Sequence, residues 1–314
     1  MSLIPLIAVV GPTASGKTRL AVDIALKYGG EVVSADSMQI YSGMDIGTAK
    51  PTQEEKKGVP HHMLSIVQPY QSFSVADYVT MARQCIAGIH ARGHLPVIAG
   101  GTGLYVSSLV SNINYGETFR DETLREELKE LAQREGGQAL LELLHTFDPE
   151  SAQRLHPNNL SRIIRAIEVF KTSGVTITEQ QRLSKQNPSP YKTCIIGLYT
   201  SDRTLLYEQI NKRVDMMLEA GLAREVKELI KTPNIKDSTA MQAIGYKELV
   251  RCLNGEESYD VAVENIKRGS RHYAKRQLTW FRRDESTAWL DASTLNYENI
   301  CKQAIDIIDK CLYL

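Results

Sequence analysis

Apolar positions along the chain show two textures. In the first, short unbroken apolar runs alternate with amphipathic stretches. "LIAVV" (6–10) leads into "GPTASGKT" (11–18) and then "RLAVDIALKYG" (19–29), where Leu20, Ala21 and Ile24 share one face. This reads as strand, loop and helix, with Gly29–Gly30 as the stop signal. "EVVSADSMQIY" (31–41) adds a second short strand with Asp36 at its tip. "VADYVTMARQCIAGIHARG" (75–93) predicts a helix whose inner face is expected at Tyr78, Met81, Cys85, Ile86 and Ile89. "LPVIAGGTGLYV" (95–106) is a third buried strand that breaks into a glycine turn. Strands alternating with helices at this spacing predict an α/β fold with a doubly wound parallel sheet.

The second texture, residues 114–190, has little strand signal. "RDETLREELKELAQREGGQALLELLHTF" (120–147) predicts two helices broken at Gly136–Gly137, and "NLSRIIRAIEVFKTSG" (159–174) a third. "LSKQNPSPYK" (183–192) reads as a polar, proline-bearing linker. "TCIIGLYT" (193–200) resumes a buried strand, and helices are expected at 205–220, 223–231 and 300–312. The expected organisation is a core of 1–113 with 191–314, carrying C-terminal helices, and a helical insertion domain of 114–190.

Composition narrows the class without naming a function. With 314 residues, 42% hydrophobic and 24% charged, the chain can bury a sizeable core. Lys+Arg and Asp+Glu both number 37, so net charge says nothing about nucleic acid and only local clustering can. Five scattered cysteines without a CxxC pair, and seven histidines without ligand spacing, argue for reduced thiols and against a structural zinc. No apolar run approaches the ~20 residues that a bilayer requires, so a cytoplasmic protein without a membrane partner is expected. "MSLIPLIAVV" reads as a first strand and not a signal peptide. No internal repeat is visible.

The chemistry starts at "GPTASGKT", a full GxxxxGK[ST] match in Gly11, Gly16, Lys17 and Thr18. Between a strand and a helix, such a loop curls backbone N–H groups round an anion, Lys17 adds a point charge and the Thr18 hydroxyl suits Mg²⁺. Other nucleotide-triphosphatase parts are missing: "LPVIAGG" ends without an acid, and "NKRV" (211–214) lacks the Asp of a guanine reader. The acid at a strand tip is Asp36, which reads either as a turn or cap residue or as a general base at the ligand edge of the sheet. "GGTG" (100–103) reads as a tight turn or as a close backbone approach to a ligand. Arg213 reads as an exposed helix charge or as a phosphate clamp. Residues 267–283 hold Lys267, Arg268, Arg271, Lys275, Arg276, Arg282 and Arg283 with no acid, either a solvated face or a track for a phosphate backbone. On the same helix Tyr273, Gln277, Trp280 and Phe281 are expected against the core.

Taken together, "GPTASGKT", "SADSMQIYSGMDIGTAKP", "HH", "GGTGLY", "RLHPNN…R…RAIEVF" and "AKRQLTWFR" resemble the tRNA dimethylallyltransferases, in that family's motif order, from Ile7 to about Leu290. The resemblance implies a P-loop NTPase-like fold. It implies transfer of a dimethylallyl group from dimethylallyl diphosphate to N6 of adenosine 37 of certain tRNAs. Gly11, Pro12, Thr13, Ala14, Ser15, Gly16, Lys17 and Thr18 would then cradle a diphosphate that leaves, with Mg²⁺ at Thr18. Asp36 would be the base, with Thr13 and Arg213 beside it. Asp36, Ser37, Met38, Gln39, Thr102, Ser161, Arg162 and Arg165 would contact the anticodon arm, joined by Lys275 and Arg276 of the basic segment. A monomer is expected. Two rivals stand beside this reading: a P-loop small-molecule or nucleotide kinase, and a non-catalytic RNA-binding protein that keeps the loop only as structure.

Overall fold

A computed structural model describes residues 3–113, 121–185, 188–235 and 238–313. The expected start of the helical insertion, at 114, and positions 186–187 of the expected linker lie outside these residues. The chain divides into two compact units, 1–110 with 190–314 and 111–189.

The first unit is built on six parallel strands: β1 (Ile4–Val10), β2 (Gly30–Ser34), β3 (His61–His62), β4 (Leu95–Gly100), β5 (Tyr191–Tyr199) and β6 (Ala288–Asp291). Their order is β3-β2-β4-β1-β5-β6, which places β1 inside the sheet. Both faces are covered, so β1 reads as a continuous apolar run with Leu6 to Val10 wholly buried. On one face Ile7, Val9, Val97 and Ile196 pack against α1 (Lys17–Tyr28) and α14 (Tyr297–Leu312). α3 (Val75–Ala91) and α4 (Gly103–Val110) also pack on the sheet. α3 starts at a capping box in which Ser74 and Asp77 satisfy each other's backbone N–H groups. Its buried row is Tyr78, Val79, Ala82, Ile86 and Ile89; Met81 is exposed and Cys85 half-buried, a small rotation from the expected face.

Two short strands, β3 and β6, were not expected. Each is an edge strand of a few residues, too short for an alternation signal to stand out. A short helix, α2 (Gln53–Lys56), precedes β3.

The second unit holds α5 (Glu122–Glu135), α6 (Gly137–His145), α7 (Pro149–Arg154), α8 (Leu160–Ser173) and α9 (Ile177–Lys185). Leu128, Leu140, Leu144, Ile163 and Ile167 form its core. The fully buried Glu168 of α8 takes both guanidinium arms of Arg125, at 2.7 and 2.8 Å, and one of Arg165, at 2.6 Å. Beyond this unit the first one resumes with α10 (Arg203–Glu219), α11 (Leu222–Leu229), α12 (Tyr246–Leu253) and α13 (Tyr259–Phe281). α9 and α12 were not foreseen; α9 overlaps the expected polar linker, because a mostly polar nine-residue helix leaves little apolar period to read.

At the amino ends of the strands Glu31 of β2 is buried and takes four donors. Arg92 grips both oxygens, at 2.9 and 2.8 Å, and His62 and His94 each approach to 2.6 Å. This cluster ties β2, β3, the end of α3 and the start of β4 together. Burial alone would raise its carboxyl, but these hydrogen bonds outweigh that and hold it down at about 2. A depressed carboxyl stabilises the fold above its unfolded value near 4.5 and loses that contribution as pH falls toward 2. Glu31→Gln is therefore expected to cost about 2 kcal/mol at neutral pH, discounted because its partners are half-exposed. Denaturant melts should show the deficit shrinking between pH 4.5 and pH 2; a deficit unchanged across that window contradicts the assignment.

Candidate active site

Three strand tips meet at the carboxyl edge of the sheet. Val10 of β1 pairs with Gly100 of β4, and Ala99 of β4 with Ser34 of β2, so the chain leaves all three strands at one level. In open α/β sheets this edge is where ligands bind. The loops that follow carry residues 11–16, 35–39 and 101–102.

The loop after β1 is shaped for close approach. Gly11 has φ 149, and a Cβ there would lie 2.5 Å from the carbonyl oxygen of Leu198. Ala14 and Gly16 are left-handed, at φ 63 and 82. α1 then begins with no side-chain cap, which leaves its first N–H groups facing the loop. Lys17 Nζ folds back to the Pro12 carbonyl at 3.1 Å. Ser15 Oγ is buried with no hydrogen-bond partner. One loop amide is already used: Thr13 N–H donates to Gln277 Oε1 at 2.9 Å.

A cavity of about 320 Å³ opens over this edge. Thr13, Lys17, Thr18, Asp36 and Arg213 line one part of it, and Val214, Met217, Leu222, Ile244 and Ile266 supply apolar wall. Burial, and then the Arg213 charge, push the Lys17 ammonium down to about 8, with Asp36 opposing. Arg213 is also lowered, by burial, against the pull of Asp36. One Asp36 oxygen accepts from Met38 N–H at 2.9 Å, so the residue makes an Asx turn and faces the cavity as well.

The other residues singled out by sequence fall into three places. Ser37, Met38, Gln39 and Arg276 line the cavity. Gln39 spends its amide internally: Oε1 accepts from Ser34 Oγ, and Nε2 donates to the Thr48 and Ala49 carbonyls. Thr102 Oγ1 accepts from Ser37 N–H at 2.9 Å. Lys275 is exposed on α13, where Lys267 pairs with Asp215 and Arg271 with Asn211. Ser161, Arg162 and Arg165 are in the helical unit, the first two exposed and Arg165 paired with Glu168.

Two family models match the chain, one described as IPP transferase over residues 39–284 and one as isopentenyl transferase over 4–67. A tRNA dimethylallyltransferase of Thermoanaerobacter sp. (strain X514) is 48% identical over 304 residues, 96% of each chain. One from Caldanaerobacter subterraneus subsp. tengcongensis is 51% identical over 287 residues, 91% of each. The chain belongs to the IPP transferase family. Solved structures agree on the P-loop-like fold. The full-length tRNA isopentenylpyrophosphate transferase of Bacillus halodurans superposes with a TM-score of 0.73 at 43% identity, covering 98% of both chains. A eukaryotic dimethylallyltransferase crystallised acting on tRNA gives 0.81 at 28% identity, covering 97% of this chain and 78% of that one.

Sequence reading missed two pieces of this candidate site. Glu225 of α11 accepts from the N–H groups of Asp45, Ile46 and Gly47, at 2.9, 2.8 and 3.2 Å, and from the Tyr246 hydroxyl at 2.6 Å. It thereby fixes the segment whose Gly47 and Thr48 line the cavity. Nothing in an amphipathic "LAREVKEL" marks one glutamate as different. Gln277 was placed against the core; the available signal was a polar residue on the buried row between Tyr273 and Phe281.

A partly neutralised Lys17 has a consequence for anion binding. Only its charged form attracts phosphate, so affinity for pyrophosphate should fall as pH rises through about 8. Calorimetric titrations of the protein against its Lys17→Met variant check this: the variant should bind more weakly below that pH and lose this component of the pH dependence.

Proposed function

We propose that this chain transfers a dimethylallyl group from dimethylallyl diphosphate to N6 of adenosine 37 in the anticodon loop of tRNA. The observation that carries the reading is one cavity in which Lys17, Thr18 and Arg213 stand with Asp36 beside an apolar wall. Its chemistry suits a leaving diphosphate next to a hydrocarbon and a base, and the named relatives support the substrates.

In the proposed reaction the C1–O bond of the donor breaks and its electron pair departs with the diphosphate. The amides at the start of α1, Lys17 and Arg213 stabilise that growing negative charge, and stabilisation that increases toward the transition state accelerates the step. Positive charge spreads over the allylic carbons, where Met217, Leu222 and Ile244 exclude water. The N6 lone pair forms the new C–N bond, and the amine loses a proton to Asp36. A general base of this kind contributes ~10²–10⁴-fold. Thr13 lines the site beside it.

Mg²⁺ fits the donor set. Thr18 lines the cavity, and no group of three or more His, Cys, Asp or Glu placed to hold a metal ion occurs among the described residues. Mg²⁺ characteristically takes few protein oxygens and completes its shell with phosphates and water. When bound, it would neutralise diphosphate charge.

The anticodon arm would be gripped through phosphates and splayed bases by Ser161, Arg162 and Arg165 of the helical unit. Ser37, Met38, Gln39, Thr102, Lys275 and Arg276 would contribute from the first unit. The target adenosine must leave the anticodon stack to reach Asp36. No helix of the described residues is long and apolar enough to cross a membrane; we place the enzyme in the cytoplasm, working as a monomer. The kinase reading is not favoured, since β4 ends in glycines with no acid to hold a nucleotide's metal.

Mass analysis of tRNA after incubation with the protein, dimethylallyl diphosphate and Mg²⁺ tests the reading. One added dimethylallyl group per tRNA is expected from the wild type. Asp36→Ala should lower transfer by at least about 10²-fold while tRNA binding survives. Full turnover in that variant removes Asp36 as the base; unmodified tRNA with the wild type removes the transferase reading.

A further inference from the structure

We propose that Gln277 is a positioning residue for the transfer, a planar amide braced between the phosphate loop and the turn after β4 that sets the spacing of diphosphate and nucleobase. The proposal rests on the transferase reading above and adds a residue to it.

Gln277 is 4% exposed, on a helix whose charged side chains from Lys267 onward are all basic. Its Oε1 accepts from Thr13 N–H at 2.9 Å, and its Nε2 donates to the Gly101 carbonyl at 3.0 Å. A Cβ on residue 101 would fall 2.0 Å from that Nε2, so the contact demands glycine there. One turn earlier Tyr273 lies against Thr102 and Gln277, and Thr102 holds the backbone of Ser37, next to Asp36. A single helix face thus touches the loop that grips phosphate and the turn that supports the base.

An amide satisfies both ends at every pH. Glutamate, when ionised, offers acceptors to both partners and faces the Gly101 carbonyl with a negative charge. Leucine offers neither bond and leaves a buried donor and a buried acceptor unpaired. The arrangement also withdraws Thr13 N–H from the anion: that amide orients the loop, and the remaining amides face the ligand. Transfer needs N6 in line with the breaking C1–O bond, so a displacement near 1 Å between the two loops lowers the rate of the chemical step. tRNA affinity, set by contacts elsewhere, is left nearly unchanged.

The test is single-turnover transfer with saturating tRNA, dimethylallyl diphosphate and Mg²⁺, for wild type, Gln277→Leu and Gln277→Glu, from about pH 5.5 to about pH 8.5, a span chosen around the raised values that buried carboxyls take. Gln277→Leu is expected to transfer about tenfold or more slowly at every pH, with tRNA affinity within about threefold of wild type. Gln277→Glu is expected to match the leucine variant at high pH. Burial and the facing carbonyl raise its carboxyl, and the protonated acid donates again, so its rate relative to wild type should climb as pH falls. A merely structural role does not produce that climb. A ratio for Gln277→Glu that stays flat with pH overturns the proposal, as does transfer by Gln277→Leu within about twofold of wild type. If the leucine variant fails to fold, the pH profile of the glutamate variant decides alone. A wild type that transfers while the profile is flat overturns only the role of Gln277; a wild type that transfers nothing overturns the transferase reading and this one together.

Discussion

Two desolvated cations that share one cavity with a carboxylate are the constraint on which the site depends. Lys17 and Arg213 repel each other in a cavity that strips them of water, and Asp36 offsets only part of that. A polyanion relieves the imbalance. In the proposed transfer the diphosphate becomes more negative as it leaves, so the relief would grow along the reaction and stabilise the transition state more than the bound donor.

Holding like charges together requires a rigid frame, and the fold supplies it at both ends of the sheet. In-register tips of β1, β2 and β4 bring three loops to one level. Behind them the Glu31 cluster locks β2, β3 and β4 at the opposite edge. In front, carboxylate and amide side chains from helices late in the chain fix loops early in it. Glu225 and Tyr246 hold residues 45–47, and Gln277 holds Thr13 and Gly101. The cavity is therefore made by sequence-distant parts, and its apolar wall comes from helices that follow the helical unit.

That division explains what the sequence disclosed. The loop, Asp36 and the glycine turn were legible because each is a local signal: a spacing, a strand tip, a break in an apolar run. The parallel sheet and, in the helical unit, α5, α6 and α8 were legible from period alone. Arg213 was ambiguous because one arginine on a helix looks the same whether it faces water or a cavity; its placement is tertiary. Glu225 and Gln277 were missed for the same reason, since their partners lie up to 264 residues away. The edge strands β3 and β6 were missed because two and four residues carry no period.

The most direct test of the central claim is which phosphate the cavity prefers. Parallel calorimetric titrations with dimethylallyl diphosphate and with ATP, each with Mg²⁺, compare a diphosphate on a five-carbon chain with a triphosphate on a nucleoside. The account predicts saturable binding of the dimethylallyl compound, weakened by Arg213→Ala, and much weaker binding of ATP. Tight ATP binding with no measurable affinity for dimethylallyl diphosphate would contradict it.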